Sequence, residues 1–159
     1  MTKRTFERTS VIPATMEQML AFHAHPKALQ WLTPPPIFAQ MHRDDRRSMT
    51  EGELEFTLWF GPIPFRWVAR HEPGPTPTSF ADRMVSGPLV SWYHQHIFSE
   101  VPEGVRLTDR IELEHKPGLR GLFTRLMFDG LPLRILFFYR HLRTRYGVRK
   151  FGRPAEVNS

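Results

Sequence analysis

Through the middle of the chain, apolar and polar residues alternate with a period of two, and near both ends the period becomes helical. Residues 4–12 predict a strand, with Phe6, Arg8 and Ser10 on one face and Glu7, Thr9 and Val11 on the other, ended by Pro13. In residues 14–23, Met16, Met19, Leu20 and His23 fall at helical spacing, and Pro26 follows as a stop. A second short helix over 26–31 ends before Pro34, Pro35 and Pro36, which no helix interior tolerates.

From Ile37 the period is two. A strand over 37–43 is followed by the charged turn Asp44-Asp45-Arg46-Arg47. In the next two strands Leu54, Phe56, Leu58 and Phe60, then Phe65, Trp67, Ala69 and His71, alternate with polar or mixed positions. Gly61-Pro62 and the Pro/Gly stretch 73–77 mark turns. Phe80, Asp82 and Met84 alternate up to Gly87-Pro88. Residues 89–98 and 105–115 complete a meander of antiparallel strands. Past Pro117-Gly118, Leu119, Leu122, Phe123, Leu126 and Met127 make an apolar helical stripe. Gly130-Leu131-Pro132 interrupts it, and the helix resumes through Leu133, Leu136, Phe137, Arg140 and Leu142 to about Tyr146. Strands run together and helices placed at the ends predict an α+β fold: about seven antiparallel strands curved around a long C-terminal helix, with two short helices after the first strand. The gap between such a sheet and its helix is a natural ligand site.

Composition sharpens this picture. The chain's 159 residues suit one domain, expected over 1–150, with a flexible tail over 151–159. There is no cysteine, which removes disulfides, thiolate metal sites and a cysteine nucleophile. The first ten residues carry Lys3, Arg4, Glu7 and Arg8 with no apolar run behind them, unlike a secretory signal. The longest apolar run, residues 135–139, is far short of the ~20 residues of a membrane span. The expectation is a soluble, cytoplasmic protein with no stable membrane insertion. Aromatic residues make up 13% of the chain, with thirteen Phe and four Trp, so either the core is bulky or some rings line a cavity.

Four segments together resemble the SRPBCC (START-like, Bet v 1-like) superfamily, near its bacterial polyketide cyclase/dehydrase-like branch. They are Phe6 with residues 10–14; Leu32-Thr33-Pro34-Pro35; Phe80-Ala81-Asp82 through Gly87-Pro88 to Trp92, His94, His96 and Phe98; and Asp109 leading to Pro117-Gly118, with Phe138-Tyr139-Arg140. The resemblance spans nearly the whole chain and implies a helix-grip fold with an enclosed apolar pocket. It does not imply a reaction, because members include carriers and aromatase/cyclases.

Trp92, His94, His96 and Phe98 share one strand face, and Asp82 and Asp109 lie on the apolar-patterned faces of their own strands. If the strands are neighbours, Asp82, His94, His96 and Asp109 converge inside the sheet, where each Asp–His pair offsets the cost of burying the other. Three readings compete: a structural network pinning strand register, a polar wall orienting an apolar ligand, and a metal site of two His and a carboxylate. No further His or Glu spacing supports the metal, and neither a metal nor a cofactor is expected. Candidate catalytic groups are His94, His96, Asp82 and Asp109. Candidate ligand-binding residues are Phe56, Trp67, Phe80, Trp92, His94, His96, Phe98, Phe123, Met127 and Phe137, with Trp31 and Pro34–Pro36 as a lid.

Net charge is +6 and pI about 10.3, with much of the basic charge in the last helix and beyond. Arg134, Arg140, Arg143 and Arg145 read as the solvated face of that helix. Nucleic acid is not expected as a partner, since the aromatics lie in strands and not among the basic residues. The sequence thus favours a binder of a small, mainly hydrophobic ligand, aromatic or lipid-like. A cyclase/dehydratase-type enzyme using the His/Asp group is the alternative. A membrane-peripheral or partner-binding module acting through the basic helix is a further one.

Overall fold

The computed structural model describes residues 3–152. In chain order the elements are β1 (Arg4–Ile12), α1 (Met16–Ala24), α2 (Ala28–Trp31), β2 (Ile37–Asp44), β3 (Gly52–Phe60), β4 (Ile63–Pro73), β5 (Phe80–Ser86), β6 (Ser91–Val101), β7 (Gly104–Glu114), α3 (Gly118–Phe128) and α4 (Gly130–Phe151). The strands form one sheet in the order β1-β7-β6-β5-β4-β3-β2, with every neighbouring pair antiparallel. The α+β architecture and the seven strands are as the alternation predicts. Strands β2 to β7 follow one another as hairpins. The first strand pairs with the last, and α1 and α2 carry the chain from that edge to the opposite one.

Helix α1 starts at a capping box: the Thr15 hydroxyl accepts from the Gln18 amide N–H and the Gln18 side chain accepts from the Thr15 N–H. It packs on α4, where Gly147 permits close approach. A Cβ on Gly147 would collide with the Phe22 ring and lie 2.8 Å from the Trp31 indole nitrogen. The core forms two clusters. One joins Trp67, Trp92 and Ile111 of the sheet to Phe128, Leu133 and Phe137 of the helices. The other joins Ile12, Met19 and Phe22 to Phe80, Phe98 and Leu107.

The interruption expected near Gly130 is a junction between two helices. Asp129 caps α4 by accepting from the Gly130 N–H, and Pro132 sits in the first turn, where no intrahelical donor is required. Phe151, placed by sequence in a flexible tail, is the last residue of α4 and lies against Trp31, ring centroids 5.2 Å apart. Residues 153–159 of that expected tail lie outside the described residues.

Two expectations about the C-terminal helices are overturned. The α3 stripe of Leu119, Leu122, Phe123 and Leu126 faces solvent, and Gly121, Thr124 and Phe128 face inward. The cause is polar. Buried His115 stands between the Thr124 hydroxyl (2.8 Å) and the Asp129 carboxylate (3.0 Å), so the helix turns its hydrogen-bonding side to the sheet. Backbone proximity acts in the same direction, since any Cβ at Gly121 would collide with the Lys116 carbonyl. Nor do all four α4 arginines face solvent. Arg140 is half-buried on the inner side, and Arg143 lies 3.4 Å over the Trp31 ring while donating to the Trp31 carbonyl.

Gly147→Ala tests the α1–α4 contact. Alanine favours a helix interior by about 1 kcal/mol over glycine, yet the clash with Phe22 should leave a net loss of about 1–3 kcal/mol. Urea denaturation followed by circular dichroism reads the sign, and a stabilised variant would refute the close packing.

Candidate functional site

Register brings the polar residues of the inner face together. On β5, β6 and β7, Asp82 stands opposite His94, and His96 opposite Asp109. All four side chains point inward, because each shares a parity with the core residues of its strand: Phe80 with Asp82, Trp92 and Phe98 with the histidines, Leu107 and Ile111 with Asp109. His94 Nε2 donates to Asp109 Oδ1 at 2.7 Å. His96 donates from Nε2 to Asp82 Oδ2 at 2.9 Å and from Nδ1 to Asp109 Oδ1 at 3.1 Å. The two imidazoles lie 3.8 Å apart between the two carboxylates.

The network extends beyond the sequence-derived candidates. His141 of α4 donates from Nε2 to the other Asp109 oxygen at 2.7 Å, and its Nδ1 accepts from the Ser10 hydroxyl of β1. His23 of α1 lies 6.0 Å from the His96 ring. Its Nδ1–H donates to the Met19 carbonyl, which leaves Nε2 as a free lone pair. His71 is anchored in the same way to the Met49 carbonyl at 3.0 Å and stacks on Phe80. These residues carried sequence signals of their own. His141 falls in the inward helical stripe of Leu133, Phe137, Thr144 and Val148, and Ser10 shares the inward parity of Phe6.

Burial and hydrogen bonding set the proton arrangement. Burial would lower His96, but its bonds to Asp109 and Asp82 outweigh that and raise its pKa to about 9. Burial would raise Asp82, but its electrostatic interactions with the adjacent His94 and His96 imidazoles and the His96 hydrogen bond hold it at about 2. Asp109 lies well below the usual carboxylate range because bonds from His141, His94 and His96 overcome its burial. Burial first, then the charge on His96, lowers His94 and brings His23 to about 4. At neutral pH the two carboxylates therefore enclose one imidazolium on His96, with His94 and His23 neutral.

This group forms the polar end of a cavity of about 140 Å³ between the sheet and the helices. Leu54, Phe56, Leu58, Trp67, Ala69 and Trp92 of the sheet make its apolar wall, opposite Leu29, Leu32, Phe128 and Leu136 of the helices. Its lining also includes exposed Pro26, in the α1–α2 turn, and half-buried Arg46 and Met49 of the β2–β3 loop. Arg140 also lines it. Among the described residues that guanidinium makes no ion pair, and its buried Nε has no hydrogen-bond partner. Burial lowers the Arg140 pKa from the ordinary guanidinium value.

Of the ligand-binding candidates, Phe56, Trp67, Phe80, Trp92, His94 and His96 line the cavity, together with Asp82. Asp109 stands behind the two histidines. Phe98 packs in the second core cluster, and Phe137 is buried between Phe6 and His94. Met127 packs against the first cluster, and Phe123 is exposed on α3. Trp31 and Pro34–Pro36 are not among the lining residues, and Trp31 donates its indole N–H to the Arg143 carbonyl of α4. Asp82, His94 and His96 each offer one ligand atom within 4.8 Å of the others, a spacing that can hold a metal ion. A cation there would have to displace the His96 Nε2 proton and sit in the field of Arg140.

The network predicts a stability optimum near pH 6.5. His96, with a folded pKa of about 9 against an ordinary 6.5, contributes stability that is complete below pH 6.5 and lost as pH rises through 9. His23, at about 4, contributes stability present above pH 6.5 and lost as pH falls through 4. Chemical denaturation across pH 4–10 should show both limbs. His96→Gln should flatten the alkaline one, and its persistence in that variant would refute the assignment.

The sequence matches no protein-family model and no curated protein. The fold does match solved structures. The Zhui aromatase/cyclase from Streptomyces sp. R1128 superposes with a TM-score of 0.59 at 13% identity, over 95% of this chain and 94% of that one. Ara h 8.0201 gives 0.62 at 9% identity, over 95% and 98%. A nucleoside-diphosphate sugar epimerase from Corynebacterium glutamicum gives 0.65 at 23% identity, over 89% of this chain and 28% of the epimerase. At these identities the likeness is one of fold. With its seven-stranded antiparallel sheet, short helices after β1 and bent C-terminal helical segment, this chain has the helix-grip fold of the Zhui aromatase/cyclase and Ara h 8.0201.

Proposed function

We propose that the chain binds one small, mainly apolar molecule in the cavity between sheet and helices, with a polar group of that molecule turned toward Asp82, His96 and Arg140. The observation that carries this reading is the cavity's lining, an apolar wall rich in aromatic residues beside the polar group of Asp82, His94, His96 and Arg140. A volume of about 140 Å³ is close to the roughly 150 Å³ of an apolar protein cavity that accepts benzene. The fitting ligand class is therefore one aromatic ring or a short aliphatic chain. Arg140 favours a hydrogen-bond acceptor or an anion at the polar end, because a half-buried guanidinium with a free donor gains most from such a partner.

Ala69 is buried on the cavity wall, so Ala69→Leu should fill the space while leaving the polar network intact. Native mass spectrometry and organic extraction of the purified protein should recover an apolar molecule from the wild type and none from the variant. Equal recovery from both would place the ligand elsewhere.

One observation favours a second reading, a cyclase or dehydratase type of proton transfer. His96 is a protonated donor and His23 a neutral acceptor at neutral pH, and both line the cavity. His96→Gln separates the two. A binder should keep its affinity for a cavity-sized aromatic within about tenfold, because the amide still donates a hydrogen bond. An enzyme should lose about 10²–10⁴-fold in turnover at unchanged affinity.

A further inference from the structure

Both C-terminal helices present apolar side chains to solvent in register with the helical period. On α3 these are Leu119, Leu122, Phe123 and Leu126, with Leu119 and Leu126 85% and 65% exposed. On α4 they are Leu131, Ile135, Phe138, Leu142 and Tyr146, spaced 4, 3, 4 and 4 residues apart, all exposed. The inward sides of the helices carry Phe128, Leu133, Phe137 and Val148 together with Gly121, Thr124, His141, Thr144 and Gly147. The helices are therefore apolar on two sides, one laid on the core and the other open to solvent. Isolated surface leucines need no explanation, but two such stripes on adjoining helices mark an interaction surface.

The charge on these helices selects the partner. Arg120, Arg125, Arg134, Arg145, Arg149 and Lys150 are exposed around the stripes. Asp129 is the one acidic residue between Gly118 and Phe151, and it is buried with His115. A second copy meeting this face about a two-fold axis would set arginine against arginine with no carboxylate to offset it. An anionic bilayer meets both requirements: acyl chains accept the leucines, and headgroup phosphates and carboxylates accept the arginines. No helix among the described residues is long and apolar enough to cross a membrane, so contact would be interfacial.

We propose that the outward face of α3 and α4 is a docking surface for anionic lipid membranes, with both helices lying in the plane of the interface. The proposal goes beyond the cavity reading and does not depend on it, since neither Leu126 nor Ile135 lines the cavity. The full chain should co-sediment with vesicles of phosphatidylcholine and phosphatidylserine at about 0.05 M salt, bind phosphatidylcholine alone about tenfold more weakly, and be released at about 0.5 M salt. The double variant L126E/I135E changes only exposed positions, so it should keep its circular dichroism spectrum and lose vesicle binding at least about tenfold. R134E/R149E should lose binding to the phosphatidylserine vesicles selectively. Two results would overturn the proposal: a natively folded wild type that stays in solution with phosphatidylserine vesicles at low salt, or a concentration-dependent dimer in sedimentation velocity that L126E/I135E dissolves. The dimer would assign the face to a second copy of the chain.

Discussion

The Asp109 carboxylate, buried on the inner face of β7, is the group on which much of the interior depends. It accepts from His94 and His96 of the neighbouring strand and from His141 of α4, and through His141 it reaches Ser10 of β1. One ionised side chain thus ties β6, β7, α4 and β1 together. A buried carboxylate without partners would be costly enough to reshape the fold around it. Supplied with three imidazole donors it can stay ionised, and its charge in turn helps to hold His96 protonated. The polar end of the cavity is in this sense a consequence of how the fold neutralises Asp109.

The same logic explains the helices. Helix α4 buries His141 in its inward stripe, where it reaches Asp109, and α3 turns Thr124 inward to His115. With polar and small residues sharing their inner faces with Phe128, Leu133, Phe137 and Val148, the two helices carry many further large apolar residues outside. An interior polar network and an exterior apolar surface thus arise together from one distribution of residues. The ring-sized cavity between sheet and helices lies on the opposite side of these helices from the exposed leucines.

The alternation of Trp92, His94, His96 and Phe98, with inward-parity Asp82 and Asp109, made four members of the site legible in the sequence. Parity along a strand is local, and so it survives folding whatever the partner strands are. His23 sat in a readable apolar stripe but lacked a visible partner. His141 and Ser10 are separated by 131 residues, and only the pairing of β1 with β7 and the crossing of α4 bring them together. Arg140 resembled its solvated neighbours because a lone helical arginine gives no local sign of which side it will occupy.

Local sequence pattern alone sets the α+β class, the antiparallel meander of β2 to β7, the helix junction at Gly130 and the inward direction of the His/Asp group. Each of these follows from short-range periodicity, a turn residue or a proline that forbids the alternative. Tertiary structure decided which histidine shares which carboxylate, how much space remains beside them, and which face of α3 is covered. An apolar stripe states only that a helix prefers some apolar neighbour. Whether the sheet supplies that neighbour depends on hydrogen bonds between residues far apart in the chain, and here His115, Asp129, Asp109 and His141 claim the inner faces first.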